Sequence, residues 1–301
     1  MSDLELKPIN AFWNKTQVLS NISLTVHSGE FLCLSGANGC GKSTLLTVLS
    51  GIDVNGLTVQ AAQSSVSRNN ISSANTASVG KTASVSNTIL LISKPLSSYK
   101  RKEAAKHIAY LTQSESSAWN YTVQDIILSG RYCHTNSTGI YSQSDYAVVK
   151  EVISLLKLES LKDRSVYSLS GGEYQKVRIA RCLAQEPDFL LLDEPVANLD
   201  FSYQNELLSL LKNIAANGYS FSNDSQKKYP GILISIHDIN TASRFADKLL
   251  LLSKINPQSN SQLLLSGSPH ELLTKENLRL VYNSDFDIYT HPQFNCPQVF
   301  C

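Results

Sequence analysis

The sequence contains no hydrophobic run long enough to cross a bilayer. Its longest apolar runs, residues 189–192 and 249–252, are four residues long, whereas a membrane-spanning helix needs about 20 apolar residues. Residues 1–10 also lack the basic stretch and apolar core that a secretory signal requires. These absences predict a cytoplasmic protein that reaches a membrane only through a partner.

The sequence also lacks a strong excess of charge of one sign and the cysteine and histidine spacing of a usual zinc site. The chain has 26 basic and 25 acidic residues, so no overall basic field favours nucleic acid as a partner. Two cysteines, Cys296 and Cys301, lack the neighbouring ligands of a usual zinc site. The other four lie in apolar or glycine-rich contexts that predict reduced, packed thiols, namely Cys33, Cys40, Cys133 and Cys182.

What the chain does contain is the composition of a globular protein, with 42% hydrophobic and 17% charged residues in 301. Alternating apolar residues over 18–26 predict an antiparallel strand, and the apolar run 31–35 predicts a buried strand. Residues 36–41 form a glycine-rich loop, and 42–49 continue as a predicted helix that ends at Gly51. Strand, glycine loop and helix in this order are typical of phosphate-binding chemistry.

Helical spacing over residues 122–128 and 146–158 predicts a small helical subdomain between two α/β portions. A further helix is predicted behind a serine and two glycines, over residues 174–183. The α/β pattern then resumes, with predicted strands at 189–192, 232–236, 249–252 and 263–265 and helices at 203–215, from Asn240, and at 268–281.

Two polar stretches, residues 61–88 and 217–230, are rich in Ser and Asn and poor in large apolar side chains. Such segments bury too little surface to offset the entropy of ordering them, so we expect solvated surface insertions. The whole chain is predicted to be one domain, whose parts are an α/β core at 1–112 and 187–290, a helical subdomain at 113–186, and a tail at 291–301.

The glycine-rich loop matches the pattern GxxxxGK[ST] over residues 36–43, which we call the phosphate loop. Its glycines allow successive N–H groups to point at phosphates. Lys42 is expected to reach the β- and γ-phosphates of a nucleotide, and the Ser43 hydroxyl to ligate Mg²⁺. The predicted nucleotide ligands here are Gly36, Asn38, Gly39, Cys40, Gly41, Lys42, Ser43 and Thr44.

A second signal is the apolar run 189–192 followed by Asp193 and Glu194. A buried parallel strand delivers such carboxylates at its carboxyl end, beside the phosphate loop. Asp193 suits Mg²⁺ through its hydration shell, and Glu194 suits polarising the water that attacks the phosphate.

The run Leu169-Ser170-Gly171-Gly172, about twenty residues before the two carboxylates, resembles the signature motif of ABC-type ATPases. In that family one subunit contributes this motif to the ATP held on the phosphate loop of the other. The resemblance therefore implies a head-to-tail dimer, with a second identical copy expected and a different partner left open. Glu173 stands where glutamine is more usual in the family.

Further positions carry roles that the resemblance implies. Trp13, with Phe12 as the competing residue, corresponds to the aromatic that stacks on adenine. Gln113 corresponds to the glutamine that senses Mg²⁺ and links to the transporter, and His237 to the histidine that contacts the γ-phosphate. Asp200 corresponds to a residue of the loop that crosses the dimer interface. The resemblance implies that the nucleotide ligands also include Asp200 and the signature residues Ser170, Gly171 and Gly172. The implied catalytic set is Lys42, Gln113, Glu194 and His237, and the implied Mg²⁺ set is Ser43, Gln113 and Asp193.

Several segments narrow the resemblance to the ATPases of iron-chelate (siderophore), haem and cobalamin importers. They are residues 93–97, 105–113, 122–123, 128–132 and 237–240. This likeness implies an ATP-hydrolysing importer subunit on the cytoplasmic face of the membrane. Its expected partners are an integral-membrane permease and, indirectly, an extracytoplasmic substrate-binding protein.

Two alternatives remain open at this point. The first is an importer ATPase for another cargo, such as a metal ion or an amino acid. The second is a soluble ABC-type ATPase acting on DNA or ribosomes, although the sequence has neither heptads nor a second phosphate loop. In either case the expected fold is an α/β P-loop ATPase core. It comprises a mixed or parallel sheet with flanking helices, an antiparallel N-terminal β part and a small α-helical subdomain.

Overall fold

A computed structural model describes residues 2–62, 87–113, 120–197, 199–221, 227–256 and 261–300. The predicted insertion at 61–88 lies almost wholly outside these residues, and so do Asn198 and Cys301. The strands in chain order are β1 (Asp3–Trp13), β2 (Thr16–His27), β3 (Phe31–Gly36), β4 (Leu57–Ala61), β5 (Ile89–Leu91), β6 (Lys94–Pro95), β7 (Ile108–Leu111), β8 (Phe189–Leu192), β9 (Gly231–Ser235), β10 (Lys248–Leu252), β11 (Leu264–Gly267), β12 (Asp287–Thr290) and β13 (Pro297–Phe300).

Nine α-helices are interspersed with these strands in the described residues. They are α1 (Lys42–Ser50), α2 (Arg101–Ala104), α3 (Val123–Ser129), α4 (Gln143–Leu155), α5 (Gly171–Ala184), α6 (Phe201–Asn217), α7 (Ile239–Phe245), α8 (Pro269–Leu272) and α9 (Lys275–Tyr282). Helices α3, α4 and α5 lie between β7 and β8 in sequence and pack against one another.

The central sheet has six strands in the order β11-β10-β3-β9-β8-β7. All neighbours are parallel except β10 and β11. A separate antiparallel sheet joins β2, β1, β5 and β6, and β4 also pairs with β1. The mixed sheet, its flanking helices and the antiparallel N-terminal part confirm the predicted α/β class.

Strand β3 shows how the layers are held together. Phe31 and Cys33 belong to the apolar core beneath α5, α6 and α7, whereas Leu32 and Leu34 belong to the core shared with α1 and the N-terminal sheet. Successive side chains of a strand point to opposite faces, so β3 is apolar on both. Burial of both faces holds β3 in place, and the phosphate loop follows at the carboxyl end of this strand.

Two predictions about the carboxyl-terminal half differ from the structure. The helix predicted at 268–281 is two helices, because the Thr274 hydroxyl accepts from the Asn277 N–H at 3.2 Å and starts α9. The described flanks of the 217–230 insertion are only partly solvated, since Tyr219 and Phe221 are buried and their rings pack together. In the predicted tail at 291–301, strand β13 forms a hairpin with β12, and its Val299 is buried in the core.

Candidate active site

The phosphate loop connects β3 to α1, and two of its glycines are required by close contacts. Gly36 has a φ of 155°, and a Cβ there would lie 2.2 Å from the carbonyl oxygen of Leu252. Gly41 caps α1 with a φ of 107°, and a Cβ there would lie 2.8 Å from the Leu19 side chain. The loop is therefore clamped between β10 and β2, and only glycine fits at these two points.

Lys42 is the charged centre of this loop. Its side chain is buried, and its ammonium donates to the carbonyl oxygens of Gly36 at 2.8 Å and Ala37 at 3.3 Å. Within the described ranges, no carboxylate forms an ion pair with this lysine. A buried cation held only by carbonyl oxygens is stabilised by an anion. The loop therefore fits the phosphates of a nucleotide.

The two predicted carboxylates occupy different environments at the carboxyl end of β8. Asp193 is 1% exposed and accepts a hydrogen bond from the Ser235 hydroxyl at 2.7 Å. The same hydroxyl accepts from the Glu194 N–H at 2.8 Å. Glu194 has a φ of 49°, in the left-handed region that non-glycine residues rarely adopt. Ser235, which the sequence did not single out, therefore holds both carboxylate residues in place.

The Glu194 carboxylate receives hydrogen bonds from side chains on both neighbouring strands. Gln113, just beyond β7, donates through Nε2 to Glu194 Oε2 at 2.9 Å. His237, just beyond β9, forms a short hydrogen bond between its Nε2 and Glu194 Oε1. Strands β7, β8 and β9 are adjacent and parallel, so their carboxyl ends meet at one edge of the sheet. Three of the four predicted catalytic residues are thus in direct contact.

These three residues face the phosphate loop across an open cleft of about 530 Å³. Gln113, Glu194 and His237 line one side of the cleft, and residues 38–39 and 41–44 line the other. The structure therefore brings Lys42, Ser43 and the Glu194 cluster together as the sequence predicted.

Trp13 lies beside the same loop, at the end of β1. Its indole Nε1 donates to the Thr44 hydroxyl at 3.1 Å, in the first turn of α1. Phe12 precedes it on the strand, where successive side chains point to opposite faces. The contact with Thr44 supports Trp13 over Phe12 as the residue next to the nucleotide base.

The signature residues begin helix α5 with a capping box. The Ser170 hydroxyl accepts from the Glu173 N–H at 3.3 Å, and the Glu173 carboxylate accepts from the N–H and the hydroxyl of Ser170, both at 2.8 Å. These hydrogen bonds from Ser170 lower the pKa of Glu173. The acidic residue that replaces the usual glutamine therefore fits the helix start, where negative charge is favoured.

Asp200 begins helix α6 in a similar way, by accepting from the Tyr203 N–H at 2.9 Å. A Cβ on Gly172 would lie 3.3 Å from the side chain of Leu199, so the signature helix and this loop lie close together. Among the described residues that line the cleft, Ser170, Gly171, Gly172 and Asp200 do not appear. The structure places these four predicted ligands away from the phosphate loop of their own chain.

Helix α5 also supports the catalytic cluster through two buried side chains that sequence reasoning missed. Gln175 donates to the Pro195 carbonyl oxygen at 3.0 Å, and Arg178 donates to the Thr112 carbonyl oxygen at 2.6 Å. Arg178 further donates to Gln175 Oε1 at 2.8 Å. Pro195 follows Glu194 and Thr112 precedes Gln113, so one helix holds both ends of the Gln113–Glu194 contact. Their spacing of three residues on a helix was the available signal.

Gln262 is another residue that sequence reasoning missed. Its Nε2 donates to the carbonyl oxygens of Cys40 at 2.7 Å and Ser253 at 2.9 Å, and its Oε1 accepts from the Ser20 N–H at 3.0 Å. Cys40 itself is buried, and burial raises the pKa of its thiol, as expected for a packed cysteine. One buried amide therefore ties the phosphate loop to β2 and to the chain after β10.

Fold and cleft together define a nucleotide-binding P-loop protein. The sequence profile described as "ABC transporter" matches residues 19–197, more than half of the chain. The chain belongs to the ABC transporter family. This result confirms the prediction of an ATP-binding ATPase subunit. Within the described part of the chain, no helix is long and apolar enough to span a membrane.

Individual relatives cover nearly the whole chain. Hemin import ATP-binding protein HmuV of Shewanella denitrificans is 32% identical, over 94% of this chain and 94% of its own. Petrobactin import ATP-binding protein FpuD of Bacillus anthracis is 27% identical, over 98% of this chain and 91% of its own. A solved metal-chelate type ABC transporter in an inward-facing conformation is 25% identical, with a TM-score of 0.69, over 100% of this chain and 97% of its own.

Proposed function

We propose that this chain is the ATP-hydrolysing subunit of an importer for an iron chelate (siderophore) or haem, with cobalamin as a related cargo. The proposal of ATP hydrolysis rests on the contacts of Glu194 with Gln113 and His237 opposite the phosphate loop. The cargo is supported by the hemin and petrobactin import relatives and by the metal-chelate type transporter. The proposed location is the cytoplasmic face of the membrane, bound to a separate permease.

The donor set near the cleft fits Mg²⁺. The Ser43 hydroxyl, the Gln113 amide oxygen and the Asp193 carboxylate would hold it, and oxygen donors are the ligands that this ion prefers. When bound, the ion would neutralise negative charge on the nucleotide phosphates. The buried Ser235 hydroxyl donates to the Asp193 carboxylate and accepts from the Glu194 N–H, so it restrains both residues.

The chain's own residues divide the remaining tasks. Lys42 exchanges its carbonyl partners for phosphate oxygens, because an ammonium gains more from an anion than from a carbonyl. Glu194 accepts the hydrogen bond of the attacking water and polarises it. Gln113 and His237 each hydrogen-bond to one oxygen of Glu194. Each carboxylate oxygen can accept more than one hydrogen bond, so Glu194 can still accept from the attacking water while both partners hold it in place.

The signature residues complete the site of a second subunit. Ser170, Gly171, Gly172 and Asp200 do not line the cleft of their own chain among the described residues. The start of α5 offers exposed amides at Gly171, where a side chain would meet nothing within 4 Å. A helix start of this kind favours phosphate. We propose that a partner subunit, identical or homologous, receives these residues, and that an extracytoplasmic binding protein delivers cargo to the permease.

Glu194→Gln tests the catalytic proposal. The amide keeps the shape of the side chain but cannot polarise water, so turnover should fall by about 10²-fold or more while ATP affinity stays within about twofold. ATP should accumulate on a stable dimer, measured by filter binding and size-exclusion chromatography. The exposed Glu103→Gln serves as the matched control and should keep full turnover. Hydrolysis by Glu194→Gln at the parent rate would show that Glu194 is not the activating base.

The cargo is tested with the permease that co-purifies with the chain. The complex is reconstituted in liposomes, and uptake of ferric siderophore, haem, cobalamin, zinc and an amino acid is compared with and without ATP. ATP-dependent uptake of an iron chelate or haem is expected. Uptake confined to zinc or the amino acid would contradict the cargo, and co-purification with ribosomes or DNA without a permease would contradict transport.

A further inference from the structure

The segment that carries His237 is short and leads directly into helix α7. The His237 side chain is half exposed and reaches Glu194. Asp238 caps the helix, because its carboxylate accepts from the N–H groups of Asn240 and Thr241, both at 3.1 Å. The backbone that presents His237 is therefore continuous with the first turn of α7, and its position depends on what holds that turn.

The carboxyl-terminal hairpin β12–β13 is fastened to this first turn. Asn240 accepts from the Val299 N–H at 2.7 Å and donates to the Val299 carbonyl oxygen at 3.0 Å. One side chain thus pairs with both main-chain groups of a buried strand residue. A second attachment lies further along the helix, where the Ser243 hydroxyl donates to the Pro297 carbonyl oxygen at 2.7 Å.

The two attachments differ in what they restrain. The Asn240 amide is planar and makes two hydrogen bonds to the same residue, one donated and one accepted, so it restrains both the position and the rotation of the first turn. The Ser243 hydroxyl makes one bond near the other end of a seven-residue helix and can rotate to maintain it. Only the first attachment lies within one helical turn of His237.

We propose that Asn240 is a positioning residue for ATP hydrolysis, which uses the carboxyl-terminal hairpin through Val299 to hold His237 against Glu194. The inference rests on the proposed catalytic role of His237 and adds a part of the chain, residues 287–300, to the machinery of the site. It also assigns a structural role to Asn240, which was notable in the sequence only as part of the run 237–240 that resembles importer ATPases.

The geometry of hydrolysis is sensitive to such support. A misplacement of about 1 Å in a reacting group can cost on the order of 10²-fold in rate. Loss of the Asn240 amide leaves Asp238 capping the helix and the Ser243 bond in place, so α7 persists with a less restrained first turn. We therefore expect a partial loss of turnover, with little change in ATP binding.

The experiment measures steady-state ATPase kinetics and thermal unfolding of the full chain. Asn240→Ala should lower kcat by about tenfold and leave KM for ATP within about twofold. Ser243→Ala, the matched control, removes the other attachment and should leave kcat within about twofold at a similar fall in Tm. Asn240→Asp keeps the acceptor for the Val299 N–H, so its kcat should lie between that of Asn240→Ala and that of the parent. Equal kcat for Asn240→Ala and Ser243→Ala would overturn the proposal.

A double-variant cycle separates this inference from the function on which it rests. In the His237→Ala background, Asn240→Ala should cause no further loss of kcat, because the side chain that it positions is gone. A further tenfold loss there would overturn the positioning role and leave the role of His237 intact. Parent-like turnover by His237→Ala alone would instead overturn the catalytic assignment of His237 and the positioning role with it.

Discussion

Replacing Gln262 by leucine should weaken the folded state and the phosphate loop together. The change removes one accepted and two donated hydrogen bonds, at 3.0, 2.7 and 2.9 Å. At about 1 kcal/mol each, their loss costs about 3 kcal/mol, and burial of the leucine side chain returns about 1 kcal/mol. The expected net loss of unfolding free energy is about 2 kcal/mol.

The loss should be visible in thermal unfolding and in nucleotide binding. With an unfolding entropy of about 0.6 kcal/mol/K for a chain of 301 residues, a loss of about 2 kcal/mol lowers Tm by about 3 °C. The Cys40 carbonyl loses its donor from Gln262, so the loop samples more conformations and Kd for ATP should rise several-fold. Scanning calorimetry and titration calorimetry measure the two effects.

The control replaces a glutamine on an exposed strand position by leucine. Gln60 is exposed in β4, and Gln60→Leu should change Tm by less than about 1 °C, as surface substitutions usually do. If Gln262→Leu shifted Tm no more than this control, the three hydrogen bonds would not contribute the expected stability. Unchanged ATP affinity with the expected fall in Tm would refute the link between Gln262 and the phosphate loop.

Two further predictions concern ion pairs away from the cleft. Arg131→Met should destabilise the fold by about 3–5 kcal/mol, because it leaves the buried Asp145 and the nearly buried Glu186 without their shared cation. Burial would raise the pKa of Asp188, but hydrogen bonding to His107 prevails and holds that pKa below its usual range. The ionised Asp188 carboxylate therefore stabilises the fold fully above its ordinary pKa of about 3.9, and this stabilisation is lost as pH falls through the folded-state pKa. The unfolding free energy of Asp188→Asn should therefore fall less steeply than that of the parent below about pH 4.

Each of these predictions has a defined control. Arg101→Met removes an exposed arginine in a loose pair and should change the unfolding free energy by less than about 1 kcal/mol. If Arg131→Met lowered the unfolding free energy no more than Arg101→Met does, the buried ion pairs would not contribute the expected stability. For Asp188→Asn, denaturant unfolding at pH 3–7 is compared with the exposed Asp53→Asn. Parallel pH profiles of parent and Asp188→Asn would contradict the pKa direction.

The parts of the fold predicted from sequence are those in which a local pattern decides the structure. Helix α1 begins at Lys42 because the loop glycines stop the strand, and it ends at Gly51 in the left-handed conformation. Strand β8 was predicted with its true bounds, since four apolar residues are followed by two acids. Element ends elsewhere moved by one to three residues, as in α6, which begins at its Asp200 cap.

Elements whose structure depends on distant partners escaped prediction. Strand β1 contains Lys7-Pro8 and pairs with β2 through three register shifts, so its alternation is broken in the sequence. The strands of the hairpin β12–β13 are only four residues long, too short for a clear alternation, and side chains of α7 hold the hairpin in place. Tyr219 and Phe221 lie in a polar stretch, and their burial follows from packing that no local spacing reveals.

The same division holds for the candidate site. The residues expected beside the phosphate loop do meet there, because the carboxyl ends of β7, β8 and β9 must lie together in a parallel sheet. Their supports, Ser235, Gln175, Arg178 and Gln262, act through bonds to groups far away in sequence. Such residue types are common in any chain, and the one local signal among them is the spacing of Gln175 and Arg178, three residues apart on a helix.

The place of β3 between β9 and β10 has a consequence for synthesis of the chain. Strand β3 ends at Gly36, whereas its two neighbours begin at Gly231 and Lys248. During translation at about 5–20 residues per second, this apolar strand leaves the ribosome on the order of 10–40 s before either neighbour exists. Gly36 also needs the Leu252 backbone beside it. A chain released early thus carries every residue of the phosphate loop and still has no structure in which the loop can close around a nucleotide.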